Sequence, residues 1–420
     1  MDLSQLETLT QRAQTDLAPL FAEIDRIAEQ NTIKVLEAFR AHRVSTGHFA
    51  STDGYGYDDV GRDTLEKIWA DVFGCEAALV RPAILSGTHA LTIGLFGLLR
   101  PGDIMLSITG RPYDTLSEVI GLEGEAGNGS LADFGVKYAE VPLGQDGRPD
   151  LPAIKDAIAQ HGEAIKVIFL QRSKGYMNRA SLTAEEIGDV IAFVKQYNTT
   201  AFVVVDNCYG EFVCEKEPTH YGADLCIGSL IKNPGGGMAE VGGYLAGTKK
   251  AVDLCANRYA APGVGSEVGA SLGQNKLMYK GLFYAPHTVA QALKVAHFAA
   301  YIFSHMGYHT SPSWNEKRAD IIEAIHCQTA EGLIAFCRGI QHGSPVDAYL
   351  LCEPWDMPGY TDPVIMAAGA FTQGSSVELS ADGPIRPPYI AYMQGGLTFE
   401  SGKYAVLCAA KEVLFGKDAH

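Results

Sequence analysis

Apolar positions in the first fifty residues recur at helical spacing, as at Leu20, Ile24, Ile27 and Ala28, among Glu and Arg. That stripe predicts an N-terminal helical arm. A loop rich in Gly, Tyr and Asp follows over 51–59, and Leu65, Ile68, Trp69, Val72 and Phe73 then lay out one face of another helix. From about Ala77 short apolar runs alternate with helical stretches, with strands predicted at 104–108, 136–141, 167–170, 202–205, 225–227 and 241–245. This alternation is that of a parallel sheet covered on both faces. Thr183-Ala184-Glu185-Glu186 forms a capping box, and Ile187, Val190, Ile191 and Val194 mark the buried stripe of the helix it opens, so 167–206 is a strand–helix–strand unit. Beyond about Tyr284 the pattern is helical again. Strand candidates at 350–351, 377–379 and 389–393 then precede a last helix through 405–414, which together predict a smaller α+β region.

A chain of 420 residues exceeds one ordinary core. The expected division is an arm over 1–50, a large domain over 51–285 and a small one over 286–420. With 47% hydrophobic and 20% charged residues the composition is globular. A net charge of −16 without any Lys/Arg run speaks against a nucleic-acid surface, which requires basic patches. The N-terminus lacks a basic segment leading into an apolar one, and no stretch of 18 uncharged apolar residues occurs, so the expected location is cytoplasmic and off the membrane. Nine cysteines, odd in number and without CxxC spacing, are expected to be reduced thiols. His305 and His309 have the spacing of two metal ligands but lack the glutamate of HExxH, and no metal is expected.

The candidate chemistry starts at Asp206, which closes the apolar run 202–205 and therefore sits at the carboxyl end of a central strand, where ligands bind in such sheets. Alone it is equally a solvated strand-end carboxylate. Lys232 follows the next strand within Ser229-Leu230-Ile231-Lys232-Asn233-Pro234-Gly235-Gly236-Gly237. Most lysines in such places are surface groups. The glycines, flanked by another buried-looking strand, permit close backbone approach, and a lysine desolvated there would have a lowered pKa and a nucleophilic neutral amine. Ser86-Gly87-Thr88-His89-Ala90 opens a helix after Ile84-Leu85, so its amides are placed either for a phosphate or for a plain serine cap. Ser229 would add a hydroxyl to the same phosphate. Tyr113, after the 104–108 strand, offers a face for stacking or simple packing. Together these supply what pyridoxal 5′-phosphate (PLP) requires: an amine for covalent attachment, an anion for the pyridine nitrogen, a phosphate cradle and a stacking ring.

The order of these parts resembles fold-type I PLP-dependent enzymes, specifically the cystathionine and methionine γ-lyase group. Ser86–Ala90, Gln171-Arg172-Ser173-Lys174-Gly175-Tyr176, Asp206-Asn207-Cys208-Tyr209-Gly210-Glu211-Phe212 and 232–237 look like the methionine γ-lyase-like family linked to aluminium resistance. The resemblance implies an α/β fold with a mostly parallel seven-stranded sheet and a smaller C-terminal α+β domain. It implies PLP covalently held on Lys232, Asp206 as the pyridinium partner, Ser86, Gly87, Thr88 and Ser229 as phosphate ligands, and Tyr113 as stacking ring and proton donor. Tyr55, Tyr57 and Arg62 occupy the place of a loop that reaches the neighbouring subunit's cofactor, with Tyr57 an alternative proton donor, so a homodimer would be the catalytic unit and a homotetramer the expected assembly. The implied activity is carbon–sulfur elimination at Cβ or Cγ of a cystathionine, cysteine or methionine type amino acid. Where better-known relatives carry Asn-Pro this chain has Gln171-Arg172-Ser173, leaving the ring-hydroxyl contact unassigned. Arg386, in a proline-rich turn, is the candidate for the substrate carboxylate by its guanidinium fork, with a surface arginine as the alternative.

An aminotransferase, or a non-catalytic PLP-fold protein linked to metal tolerance, would use the same cofactor parts. A nicotinamide dehydrogenase is disfavoured, because neither 235–237 nor Gly263-Val264-Gly265-Ser266-Glu267-Val268-Gly269 fits GxGxxG after a strand.

Overall fold

The computed structural model describes residues 1–358 and 360–416. Strands β1 (Ala77–Arg81), β2 (Ile104–Ser107), β3 (Lys137–Glu140), β4 (Ile165–Gln171), β5 (Phe202–Asp206), β6 (Leu225–Ser229) and β7 (Gly243–Gly247) form a seven-stranded sheet in the order β1-β7-β6-β5-β4-β2-β3. The block from β3 to β6 is parallel, and β7 runs antiparallel to both β6 and β1. Side chains of a strand alternate between faces. Accordingly Val203 and Val205 enter one core with Ile168 and Leu170, while Val204 enters the other with Val167 and Phe169. Both faces are covered, which is why these strands are near-continuous apolar runs.

A second sheet of β8 (Thr310–Ser311), β9 (Glu323–His326), β10 (Val364–Ala367), β11 (Ser380–Pro384) and β12 (Ile390–Gln394) is antiparallel throughout, in the order β10-β11-β12-β9-β8. Two expectations fail here. Residues 350–351 form no strand; Leu350 and Leu351 are exposed in a loop, apolar by composition but without a sheet to pair with. Residues 377–379 lie in a bend just before β11 rather than in it.

The helix Asn275–His305 belongs to both cores. Met278, Leu282 and Val289 pack under the large sheet, whereas Val295, Phe298 and Ile302 pack under the small one. The boundary expected at 285/286 thus falls inside a helix, beside its interior Pro286. The arm is two helices, Leu3–Asp16 and Ala18–Ala41; Leu6, Leu9 and Ala13 join the small core, while Ile24, Val35 and Ala38 join the large one.

Close approach explains the glycines after Lys232. A Cβ on Gly235 would lie 1.6 Å from the Leu230 carbonyl oxygen, and one on Gly281 would lie 2.4 Å from the Gly235 carbonyl oxygen. The turn and the long helix therefore touch backbone to backbone.

Beneath the ends of β4–β6 lies a buried polar network. Arg172 Nη1 donates to Asn207 (2.8 Å) and Glu217 (3.3 Å), and the Tyr244 hydroxyl donates to Glu211 Oε1 (2.8 Å). Burial, with Glu217 nearby, pushes the Glu211 carboxyl up to about 8 from an ordinary 4.5, and its Oε2 has no hydrogen-bond partner. Between those two pH values the folded chain keeps a proton that the unfolded chain has lost. Glu211 therefore contributes stability that is complete below about 4.5 and lost as pH rises through about 8. Glu211→Gln keeps an acceptor for Tyr244 and removes this dependence. The wild type is expected to lose on the order of a few kcal/mol relative to the variant between pH 5 and 8.5. Parallel pH dependences of the melting temperature for the two proteins would refute the assignment.

Candidate functional site

Because β6, β5, β4 and β2 are adjacent and parallel, the residues ending them open onto one edge. There Asp206 closes β5, Gln171 closes β4, Ser229 closes β6, and Tyr113 follows β2 as the residue before the helix Asp114–Ile120. These residues line a cavity of about 270 Å³ with Ser86, Gly87, Thr88 and Lys232. Seven of the eleven residues expected to act are thereby brought together.

Ser86 caps the helix Gly87–Leu98, its Oγ accepting from the His89 amide at 3.1 Å. A Cβ on Gly87 would come within 3.6 Å of Ser229 Cβ, so the helix start faces the end of β6. Ser229 is 1% exposed and its Oγ has no partner. A buried hydroxyl at a helix N-terminus fits an anion such as phosphate.

The Tyr113 hydroxyl lies 2.9 Å from Thr88 Oγ1, and its backbone N–H donates to Gln171 Oε1 at 2.8 Å, so the ring is held at both ends. Burial and then Asp206 push the phenol well above its usual range. Asp206 is 5% exposed and accepts the Cys208 N–H at 3.1 Å. Burial raises its carboxyl, against the opposing effects of that amide, Lys232 and Arg179. A cationic ring nitrogen would supply the partner such a carboxylate lacks. Gln171 lines the cavity, whereas Arg172 turns away into the Asn207–Glu217 network.

Lys232 Nζ donates to the Tyr209 hydroxyl and, at 3.2 Å, to the Ser375 carbonyl. The expectation of a lowered lysine pKa is corrected here. Burial does lower it, but Tyr209, Cys208 and Asp382 outweigh that and raise it above the ordinary value.

Four expected residues lie elsewhere. Tyr55 and Tyr57 are exposed and stack on each other at 5.5 Å, outside the cavity. Arg62 is buried within its own chain, its guanidinium spent on Gly56 O (2.6 Å), Gly269 O (2.9 Å) and Asp63 (2.8 Å), which braces the 51–59 loop against the 263–269 segment. Arg386, beyond the end of β11, is half-exposed and pairs with Asp362 at 2.8 Å rather than lining the cavity. Lys232 is the one cationic side chain lining the cavity among the described residues.

The small sheet and the bend before β11 supply what the sequence did not announce: Asp382, Tyr392 and Gln394 from the sheet and Ser375 from the bend, with Tyr176, Tyr209 and Tyr360 filling the space between the sheets. Tyr209 and Tyr176 carried a signal, each standing in a motif already singled out, Tyr209 three residues after Asp206. Among the described residues no cluster of metal-ligating side chains occurs, and no helix is long and apolar enough to cross a membrane.

Residues 6–414 match the model of the methionine gamma-lyase family. An uncharacterised Bacillus subtilis protein, YnbB, is 52% identical over 98% of this chain and 97% of its own. A carbon–sulfur lyase involved in aluminum resistance from Clostridium novyi superposes with a TM-score of 0.94 at 48% identity, covering 98% of this chain and 96% of that one. A Listeria monocytogenes structure, named provisionally as a cystathionine beta-lyase involved in aluminum resistance, gives 0.94 at 50% identity over 97% and 100% of the two chains.

Proposed function

The chain belongs to the methionine gamma-lyase family, and from that premise we propose that it is a PLP-dependent carbon–sulfur lyase acting on a sulfur-containing amino acid. The observation that carries the proposal is the placement of Lys232, Asp206 and the unpartnered Ser229 hydroxyl around one cavity at the carboxyl ends of β5 and β6. The residues fit the cofactor: Ser86, Gly87, Thr88 and Ser229 would hold its phosphate, Tyr113 its ring face, Asp206 its pyridine nitrogen and Lys232 its aldehyde carbon.

When bound, the cofactor supplies an electron-accepting ring that stabilises negative charge at the substrate Cα. Asp206 keeps the proton on the ring nitrogen, since a buried carboxylate is relieved by an adjacent cation. Lys232 would take the Cα proton at Nζ. The Tyr113 hydroxyl, or Tyr57 of a second copy, gives its proton to the departing sulfur. A homodimer is the proposed working unit, because Tyr55 and Tyr57 present a stacked, exposed aromatic pair outside their own cavity.

Borohydride reduction followed by peptide mapping tests the attachment point. The cofactor mass is expected on the peptide bearing Lys232, and its recovery on another lysine would overturn the proposal. Supplying cysteine, cystathionine and methionine to the holoenzyme and measuring 2-oxo acid and ammonia tests the reaction. Formation of an amino acid from a keto-acid acceptor, without ammonia, would make the protein an aminotransferase instead.

A further inference from the structure

Tyr209 is held in a conformation that side chains rarely adopt. Its φ is +72°, in the left-handed region, and its backbone is pinned there from both sheets. Its carbonyl accepts from Asn233 Nδ2 (2.9 Å), the residue after Lys232, and from the Ile321 amide (3.2 Å) near β9. The consequence of this posture is that its hydroxyl meets Lys232 Nζ. From there hydrogen-bonding groups continue in line: the Tyr209 hydroxyl lies 3.5 Å from Ser375 Oγ, and Ser375 Oγ lies 3.4 Å from Asp382 Oδ2. Asp382 sits in the middle of β11, 4% exposed. The two serine contacts are long, as hydrogen bonds at reacting centres often are before substrate closes the site.

We infer that Tyr209, Ser375 and Asp382 form a relay that carries the proton taken up by Lys232 to a buried carboxylate and returns it. The inference rests on the reading of Lys232 as the base. In the forward direction the Lys232 ammonium gives one proton to Tyr209 Oη as the tyrosine's own passes to Ser375 Oγ and the serine's own to Asp382 Oδ2. Lys232 ends neutral and Asp382 ends as the acid; only N–H and O–H bonds change, and no electrons are transferred. The groups facing Asp382 are Lys232 and Tyr209 from the large sheet's edge, Tyr176 and Tyr360 between the sheets, Gln394 and Tyr392 from the small sheet and Ser375 from the bend before it, with Arg386 and Asp114 beyond Tyr392. Burial is the main influence on its carboxyl and raises it to about 6, with Tyr176, Lys232, Gln394 and Ser375 opposing. The relay accepts a proton only when Asp382 is ionised, so turnover falls as pH drops through that value.

The test uses full-length holoenzymes carrying Tyr209→Phe and Asp382→Asn. It reads the pH profile of kcat and the pH titration of the bound cofactor's visible absorption. Tyr209→Phe keeps the ring and is expected to lower kcat about 100-fold with KM little changed, and to move the absorption titration by about one pH unit. Asp382→Asn is expected to remove the acid limb near pH 6 from kcat. A Tyr209→Phe enzyme with wild-type kcat and titration, or an Asp382→Asn enzyme that keeps the acid limb, overturns the relay. Borohydride mapping of each variant separates the two claims. An adduct away from Lys232 overturns the functional reading itself, whereas an adduct on Lys232 with unchanged profiles overturns the relay alone.

Discussion

Lys232→Ala is expected to leave a folded chain that retains no cofactor through borohydride reduction and denaturation, and to reduce lyase turnover by about 10⁴-fold or more. Two proposed roles are lost together, covalent attachment and removal of the Cα proton. No neighbour replaces either, because no other cationic side chain lines the cavity among the described residues. The proposed phosphate and ring contacts of Ser86, Gly87, Thr88, Ser229, Tyr113 and Asp206 are untouched by the substitution, so reversible uptake of PLP, followed by its absorption after dialysis, is expected to survive in part. A variant that still fixes the cofactor covalently would show that another amine does the work.

Gly235→Ala, whose added Cβ would make the shortest contact of any glycine substitution among the described residues, is expected to cost about 3 kcal/mol or more of stability. Its φ is unremarkable; the difficulty is space. The added methyl would fall 1.6 Å from the Leu230 carbonyl, a backbone atom that cannot swing aside as a side-chain tip does. Relief requires moving the 230–235 turn, and Lys232 moves with it, so cofactor occupancy should fall with the melting temperature. Gly47→Ala provides the comparison. Its Cβ would meet nothing closer than Ser45 Oγ at 3.6 Å, and a change within about 0.5 kcal/mol is expected. Equal melting temperatures for the two variants would mean that the turn is looser than its geometry states.

The central sheet was legible because strands buried on both faces must be apolar throughout, and 202–205 could hardly be anything else. The smaller sheet was not. Strand β11 reads Ser-Ala-Asp-Gly-Pro, a composition of turns, yet every one of its residues is buried. Its environment, not its propensity, makes it a strand. The same contrast divides the site. The wall built from strand ends and the lysine turn was readable, since Asp206, Ser86–Thr88 and Lys232 each follow an apolar run and differ in kind from it. The opposite wall was not, since Asp382 and Gln394 are brought to the cavity by strand pairing far along the chain. Arg62 and Arg386 mark the limit of reasoning from residue type: a guanidinium suits a carboxylate or phosphate, but in this chain Arg62 is taken by carbonyls and Asp63, and Arg386 by Asp362.

The helix Asn275–His305 has a mechanical consequence. At 1.5 Å per residue its 31 residues form an axle of roughly 46 Å running under both sheets. It grips the lysine turn on either side of Pro286, through Gly281 against the Gly235 carbonyl and through the Thr288 hydroxyl on Gly236 O at 3.1 Å. Proline cannot donate the helical hydrogen bond expected at its position, so the axle is weakest where it holds the turn. The gap in the helical ladder therefore lies level with the turn that carries Lys232. One helix thus sets the height of the lysine turn and also floors the small sheet, so the two walls of the cavity share a single support.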